Sequence, residues 1–121
     1  MEQYANSYKD LQVFQKAYQL SLEIHKVTIG FPIQEQFDIT RQIRRASKSI
    51  CANIAEGYAK QAYSKAEFKR FISISVGSSD EMQVWIQYSS DLGYIGQGHT
   101  FRWQQGYIEI SKMLHALHKK I

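Results

Sequence analysis

The chain has few of the residues that interrupt helices or cross-link loops. It contains one proline, seven glycines and one cysteine among 121 residues. A single cysteine excludes an internal disulfide framework and is typical of a reducing compartment. Because glycine and proline are the main helix breakers, their scarcity favours long helices. The prediction is an all-α protein without disulfide cross-links.

The sequence also lacks long apolar runs. None approaches the roughly 20 residues that a bilayer-spanning helix needs, and the N-terminal segment has neither the basic start nor the apolar stretch of a signal peptide. Hydrophobic residues make up 44% of the chain and charged residues 21%, as in ordinary globular proteins. We therefore expect a cytoplasmic protein with no membrane contact, and one domain over residues 1–121 whose first eight residues are loose.

Apolar residues recur at alternating steps of three and four, the spacing of one face of an α-helix. In the first such segment the stripe includes Val13, Ala17, Leu20 and Ile24. The pattern predicts four helices, with ends uncertain by roughly two to four residues. Their predicted ranges are about 10–30, 36–59, 64–92 and 98–120.

Local signals support these boundaries. Gly57 is expected at the end of the second helix, where a left-handed residue would be tolerated. Ser64 followed by Glu67 matches a capping box at the start of the third helix, and Gly93 is expected to stop it. Since the connections are short, the predicted architecture is an up-down-up-down antiparallel four-helix bundle.

Positive charge is concentrated in residues 41–70. The whole chain has a formal charge of +4, yet this segment alone holds eight Lys/Arg against Glu56 and Glu67. A basic face of this kind favours a polyanion, most often nucleic acid, although charged helix faces are also commonly just solvated. If the face binds RNA, its contacts would be to phosphates. The candidate nucleic-acid-binding residues are Arg41, Arg44, Arg45, Lys48, Lys60, Lys65, Lys69 and Arg70.

Two polar residues of the second helix are candidates for a structural role. Asn53 falls on the predicted core seam, between Ile50 and Gly57, so its amide needs a hydrogen-bond partner. Glu56 could pair with a basic residue on a neighbouring helix. We expect both to be buried and to fix helix register, with contact to a ligand or RNA as the alternative.

The sequence contains no recognisable catalytic or cofactor motif. No Glu-x-x-His pair of the di-metal bundles is present, and His115 with His118 lacks a third metal ligand. Cys51 lies between apolar residues and is interpreted as a small buried hydrophobe rather than a reactive thiol. The prediction is a non-enzymatic protein with no cofactor and no metal.

The apolar surface exceeds what one small bundle needs. Beside its core stripe, the first helix carries a second, adjacent stripe, and several aromatic residues elsewhere are expected to be exposed. This excess predicts a homo-oligomer. The second stripe consists of Leu11, Phe14, Tyr18 and Leu22, and the other aromatics are Trp85, Tyr88 and Trp103.

Several runs resemble the bacterial four-helix-bundle family named after the intervening sequence of 23S rRNA. They are DLQVFQKAYQL near the start, FP at 31–32, QIRRASKSICANIAEGYAK, and FISISVGSSDEM followed by DLGYI. The resemblance covers roughly residues 8–95. Matching positions in the two signature runs are Arg44, Arg45, Asn53, Glu56, Gly57, Gly77, Ser78 and Glu81. Cys51 departs from the family, where many relatives carry proline, and this should leave the second helix straighter.

The resemblance implies a small bundle that assembles as a ring-like homopentamer, without enzymatic activity at the matching positions. A distant relative with a basic pentameric barrel engages nucleic acid, which makes RNA the preferred partner here. The first hypothesis is therefore an oligomeric, RNA-preferring nucleic-acid-associated protein. The alternative is an oligomeric scaffold that docks a protein partner without nucleic acid.

Overall fold

The protein forms four helices in a computed structural model that describes residues 7–121. No strand occurs in this range, so the all-α prediction is confirmed. Each helix end lies within three residues of its predicted position. The helices are α1 (Gln12–Thr28), α2 (Ile39–Lys60), α3 (Lys65–Asp91) and α4 (Gln97–Lys120).

The helices pack as a bundle in which sequence neighbours are also neighbours in space. The contact between α2 and α3 is the most extensive, and α1 touches both α2 and α4. Adjacent helices are antiparallel, since His25 near the end of α1 meets Arg44 near the start of α2. The buried core includes Ile24, Ile43 and Ile86, whose side chains are 0% exposed. Apolar burial of this kind supplies most of the stability of such a bundle.

The two stripes of α1 have different surroundings. Val13, Ala17 and Ile24 of the first stripe are buried in the bundle. Of the second stripe, Tyr18 remains 45% exposed and Leu22 37% exposed. The predicted excess of apolar surface is therefore present on α1.

Among the other aromatics that were expected to be exposed, only one is. Tyr88 is 52% exposed, but Trp103 is 0% exposed, and Trp85 is half-buried. Each indole nitrogen donates to a carboxylate, Trp103 to Glu23 at 2.9 Å and Trp85 to Glu81 at 2.8 Å. The prediction for the two tryptophans was wrong because these partners, one of them on another helix, allow a polar ring atom to be covered.

Small residues in the centre of α3 allow its neighbours to approach closely. The Ser75 hydroxyl donates to the Ile50 carbonyl of α2 at 3.0 Å, and the Ser79 hydroxyl donates to the Tyr107 carbonyl of α4 at 3.1 Å. Serine has weak helix propensity. These serines are small, and each buried hydroxyl forms a hydrogen bond with the backbone of a neighbouring helix.

Gly57 does not end α2, and the prediction for it was wrong. The helix continues to Lys60, and Gly93 is the glycine with positive φ, at 79°, within residues 7–121. A Cβ on Gly57 would lie 2.8 Å from the Cβ of Phe71. Gly57 is therefore required for close packing of α2 on α3, while Gly93 terminates α3 as expected.

Only one of the two hydrogen bonds of the predicted capping box is present at the start of α3. The Ser64 hydroxyl accepts from the Glu67 amide at 3.1 Å, whereas the Glu67 carboxylate binds Arg70 instead. The expected loose N-terminus falls outside the described residues for positions 1–6. Ser7 and Tyr8 begin a short 3₁₀ turn, Tyr8–Asp10, which Ser7 caps.

Candidate nucleic-acid interface

Arg44 is the most constrained of the cationic side chains on α2. Its Nε donates to the Thr28 hydroxyl at 2.8 Å and its Nη2 donates to the His25 carbonyl at 3.1 Å. Both acceptors lie in the last turn of α1, where backbone carbonyls lack helical partners and a positive charge is favourable. Arg44 therefore caps α1 from the neighbouring helix, and this contact competes with binding to a phosphate.

Arg45 contacts α3, on the other side of α2 from α1. Its guanidinium forms an ion pair with the Glu81 carboxylate of α3, and its Nε donates to Gln42 at 3.0 Å. The same Glu81 oxygen accepts from the indole of Trp85. The predicted cationic stripe is thus divided, because Arg44 and Arg45 are adjacent in sequence and 100° apart around the helix.

Arg41 and Lys48 remain exposed on α2, but each has a local contact. The Arg41 guanidinium lies 5.4 Å from the centre of the Phe37 ring, a weak attraction at an exposed site. Lys48 Nζ is 3.1 Å from His25 Nδ1. Partial desolvation, followed by the charges of Arg44 and Lys48, holds the pKa of His25 below its ordinary value. His25 is therefore mainly neutral at pH 7, and its Nδ1 accepts a hydrogen bond from the Lys48 ammonium group.

The remaining four predicted cations lie at the turn between α2 and α3, where Lys60 is about 18 Å from Lys48 and about 28 Å from Arg41 along the helix axis. Lys60 and Arg70 both approach the Phe71 ring, at 5.9 and 4.5 Å from its centre. Arg70 also binds Glu67 three residues earlier at 3.0 Å. Within the described chain, the side chain of Lys65 has no hydrogen bond or ion pair, and the same holds for the side chain of Lys69.

The antiparallel fold adds two lysines to this turn. Lys65 and Lys120 line the same shallow depression of about 260 Å³, together with Phe68, Leu117 and Ile121. Six cations therefore gather at one end of the bundle. The acidic residues in the segments that form this end, residues 56–70 and 117–121, are Glu56 and Glu67. We name this surface the basic end, and its cations are Lys60, Lys65, Lys69, Arg70, Lys119 and Lys120.

Lys119 and Lys120 are absent from the predicted interface because they are distant in sequence. The basic last turn of α4 was visible as the run HKK, and an antiparallel α3–α4 pair places that turn beside the start of α3. That combination of charge and topology was the signal for their inclusion. The structure thus joins Lys60, Lys65, Lys69 and Arg70 into one surface and separates them from Arg41, Arg44, Arg45 and Lys48.

Asn53 and Glu56 are less buried than expected. Asn53 is half-buried, and its amide donates to the carbonyl of Ser49 at 2.8 Å and to the Ser49 hydroxyl at 3.0 Å. Ser78 of α3 donates to that same hydroxyl at 3.0 Å, so Asn53 connects the two helices through Ser49. Glu56 is exposed. The predicted burial of Glu56 was wrong, because its position on α2 faces away from the core.

Buried reactive groups are few in the described part of the chain. Burial raises the pKa of the Cys51 thiol to about 11, which leaves it protonated at neutral pH. The Tyr107 hydroxyl is buried without a hydrogen-bond partner, and burial likewise raises its pKa. His115 is exposed and His118 half-buried. Over residues 7–121, no three His, Cys, Asp or Glu side chains come together in a way that could hold a metal ion.

The two signature runs meet on the outer face of α2 and α3. Arg45 binds Glu81 across this face, and the Asn53–Ser49–Ser78 hydrogen bonds lie on the same side. The two sequence-distant motifs therefore meet through two separate sets of polar contacts between α2 and α3. These contacts, the four helices and the basic end define a small, basic, all-α bundle protein.

The chain belongs to the family described as 23S rRNA-intervening sequence protein, whose model matches residues 9–116. A similar solved structure is that of a protein of unknown function from the S23 ribosomal protein family of Bacteroides thetaiotaomicron VPI-5482. It has 27% sequence identity and a TM-score of 0.76, and the match covers 88% of this chain and 98% of that one. No curated protein matches the chain.

The described helices differ from membrane-spanning helices. Within positions 7–121, none combines the length and the apolar character that crossing a membrane requires.

Proposed function

We propose that this protein is a non-enzymatic, self-associating protein that binds RNA in the cytoplasm through the phosphates. The observation that carries the proposal is the convergence of six cations at the basic end, several of them without an intramolecular ion pair. Solvated lysines can neutralise phosphates without first breaking contacts inside the protein. The family description, which refers to 23S rRNA, supports RNA over DNA.

Aromatic residues near this surface support contact with single strands. Tyr63, in the turn between α2 and α3, is 70% exposed, and an exposed ring at such a position can stack on an unpaired base. Tyr58 is half-buried, with its ring edge-on to Phe68 at 6.2 Å. Tyr63 is therefore the better candidate for stacking, and binding would tolerate many sequences because phosphates and ring faces carry little base information.

Self-association is supported by the exposed part of the second α1 stripe. Exposed apolar residues grouped on one face are typical of protein contact sites. The resemblance described above favours a pentamer. Light scattering over micromolar concentrations tests the assembly, and a monomer throughout that range would contradict it.

The RNA test is a titration of labelled single-stranded RNA at three salt concentrations. If four to six phosphates are contacted, the slope of log affinity against log salt should be about −3 to −4. Two RNAs of unrelated sequence should bind within a few-fold of each other. Negligible binding of both RNAs at physiological salt would contradict the proposal.

A scaffold that docks a protein partner is the second candidate. It is favoured by the apolar connection between α1 and α2, where Ile29, Ile33 and Phe37 are each at least 71% exposed. This connection lies at the opposite end of α2 from Lys60. In the scaffold case, substitution of these three residues by serine would abolish partner capture, and RNA affinity would be negligible before and after the change.

A further inference from the structure

Gly77 lies in the middle of α3 and has no close packing contact among the described residues of a single copy. It lies inside α3 and is exposed, and a Cβ added there would meet nothing within 4 Å among the described residues. Glycine inside a helix costs about 0.5–1 kcal/mol relative to alanine. Gly57, by contrast, is packed against Phe71. A glycine on an open helix face is useful where another backbone must approach closely.

Large apolar residues surround Gly77 on the outer surface of α3. Their exposed fractions range from 39% for Ile74 to 52% for Tyr88. The steps from Gly77 to Val84 and from Val84 to Tyr88 are seven and four residues, so these residues share one side of the helix. We name this surface the α3 stripe, and it consists of Ile74, Gly77, Val84, Tyr88 and Leu92.

A complementary feature lies on another face of the bundle, between α1 and α2. This α1–α2 groove has a volume of about 520 Å³. One wall is aromatic, since the Phe14 ring lies 4.8 Å from Tyr8 and 5.8 Å from Tyr18 between ring centres. The opposite wall is formed by small residues of α2, including Ala52 and Ala55. Small residues facing an aromatic wall leave room for side chains from a second helix.

The charges of the two surfaces are opposite. Lys48 lies at one end of the α1–α2 groove, where His25 contacts its ammonium group. After Arg70, α3 contains no Lys or Arg and carries three acidic residues instead. Of these, Asp80 and Asp91 are exposed beside the α3 stripe. An acidic, apolar helix therefore suits a groove whose charged end is a lysine.

We propose that the α3 stripe of one copy packs into the α1–α2 groove of a second copy. This assignment rests on the self-association in the proposed function and names its two surfaces. Because the surfaces differ, each copy has one stripe and one groove to offer. Such a head-to-tail contact builds a ring if the rotation closes and a filament if it does not.

The first test replaces Gly77 with a large residue that favours helices. Gly77→Leu should raise the concentration needed for half-assembly at least tenfold, because its side chain fills the space of close approach. Gly98→Leu is the matched control, since Gly98 is also helical and exposed with nothing within 4 Å of a Cβ. Circular dichroism should show both variants folded, and sedimentation should show normal assembly for the control alone.

The second test joins the two surfaces chemically. Two proteins carrying Cys51→Ala, one with Ala52→Cys and the other with Val84→Cys, should form a disulfide when mixed and mildly oxidised, because the proposed contact brings the two sites together. Lys112→Cys in place of Val84→Cys should give only background. A monomeric wild type would overturn both this inference and the proposed self-association. An oligomer unaffected by Gly77→Leu and without the Ala52–Val84 cross-link would overturn the surface assignment alone.

Discussion

The basic residues near the start of α2 and those of the basic end differ in their contacts within the protein. Near the start of α2, Arg44 and Arg45 are bound to α1 and α3 respectively. At the basic end, Lys65 and Lys69 are solvated and have no such partner within residues 7–121. The arginines of the first region therefore tie helices together, whereas Lys65 and Lys69 of the second make no contact with the described residues that would hold them.

The largest expected effect comes from removing the charge of the basic end. Replacing Lys65, Lys69, Lys119 and Lys120 by alanine should reduce the salt slope of RNA binding by about 2.8 for four lost contacts. At 0.1 M salt, affinity should fall by several hundred-fold, on the order of fivefold per contact. Thermal stability should change little because these side chains are exposed. Fluorescence titration at three salt concentrations measures the slope.

The control for this change removes the same charge elsewhere. Replacing Lys16, Lys26, Arg41 and Lys112 by alanine leaves the basic end intact and gives the same net charge. Affinity should fall only by the small long-range effect, which salt screens. If the two quadruple variants lost equal affinity, net charge rather than the basic end would explain binding.

Arg44→Ala should mainly affect folding. It removes two hydrogen bonds and leaves the Thr28 hydroxyl and the His25 carbonyl without this donor. We expect the free energy of unfolding to fall by about 1–3 kcal/mol, while the salt slope of RNA binding by the folded protein stays unchanged. Urea denaturation measures the first quantity. A lower slope with unchanged stability would move Arg44 into the RNA interface.

Arg45→Ala should have a smaller effect on stability. The Arg45 side chain is 50% exposed and its Glu81 partner 33% exposed, so solvent weakens the ion pair. We expect a loss of about 0–1 kcal/mol. Denaturation of Arg45→Ala, Glu81→Gln and the double variant gives the coupling energy directly. A loss above that of Arg44→Ala would reverse the order of the two arginines.

The smallest effect concerns pH. The pKa of His25 is lowered in the folded protein, chiefly by partial desolvation and then by Arg44 and Lys48. The unfolded chain therefore binds a proton more readily, and stability should fall as pH drops below about 6.5 toward the folded pKa. His25→Gln should flatten this part of the profile. Urea midpoints at pH 7.5 and 5.5 measure it, and equal pH dependence in both proteins would contradict the assignment.

The helices could be predicted because their signals are local. Apolar spacing, Ser64 and Gly93 each act within a few residues, and each was interpreted correctly. Gly57 was not, because a helix end and a close helix contact both favour glycine. Only the position of Phe71 on the next helix distinguishes them.

The site was predicted less completely because it depends on packing. Periodicity placed Arg44 and Arg45 together, but Arg44 binds α1 and Arg45 binds α3. Helical spacing alone does not indicate which neighbouring helix each arginine contacts. Lys119 and Lys120 join the basic end only through the α3–α4 topology. The exposure of Glu56 follows from its angle on α2, and it was missed because a pairing with a basic residue on a neighbouring helix was expected.

The reactivity of Cys51 gives a way to measure local opening of the helix bundle. Its thiol borders the α1–α2 groove, and with a pKa of about 11 only about one molecule in a thousand carries the reactive thiolate at pH 8. Because Cys51 is only 9% exposed and its thiol is mainly protonated, we expect alkylation to be faster when α1 separates from α2. The rate of thiol alkylation should therefore report how often such openings occur. A molecule bound in the α1–α2 groove should lower that rate.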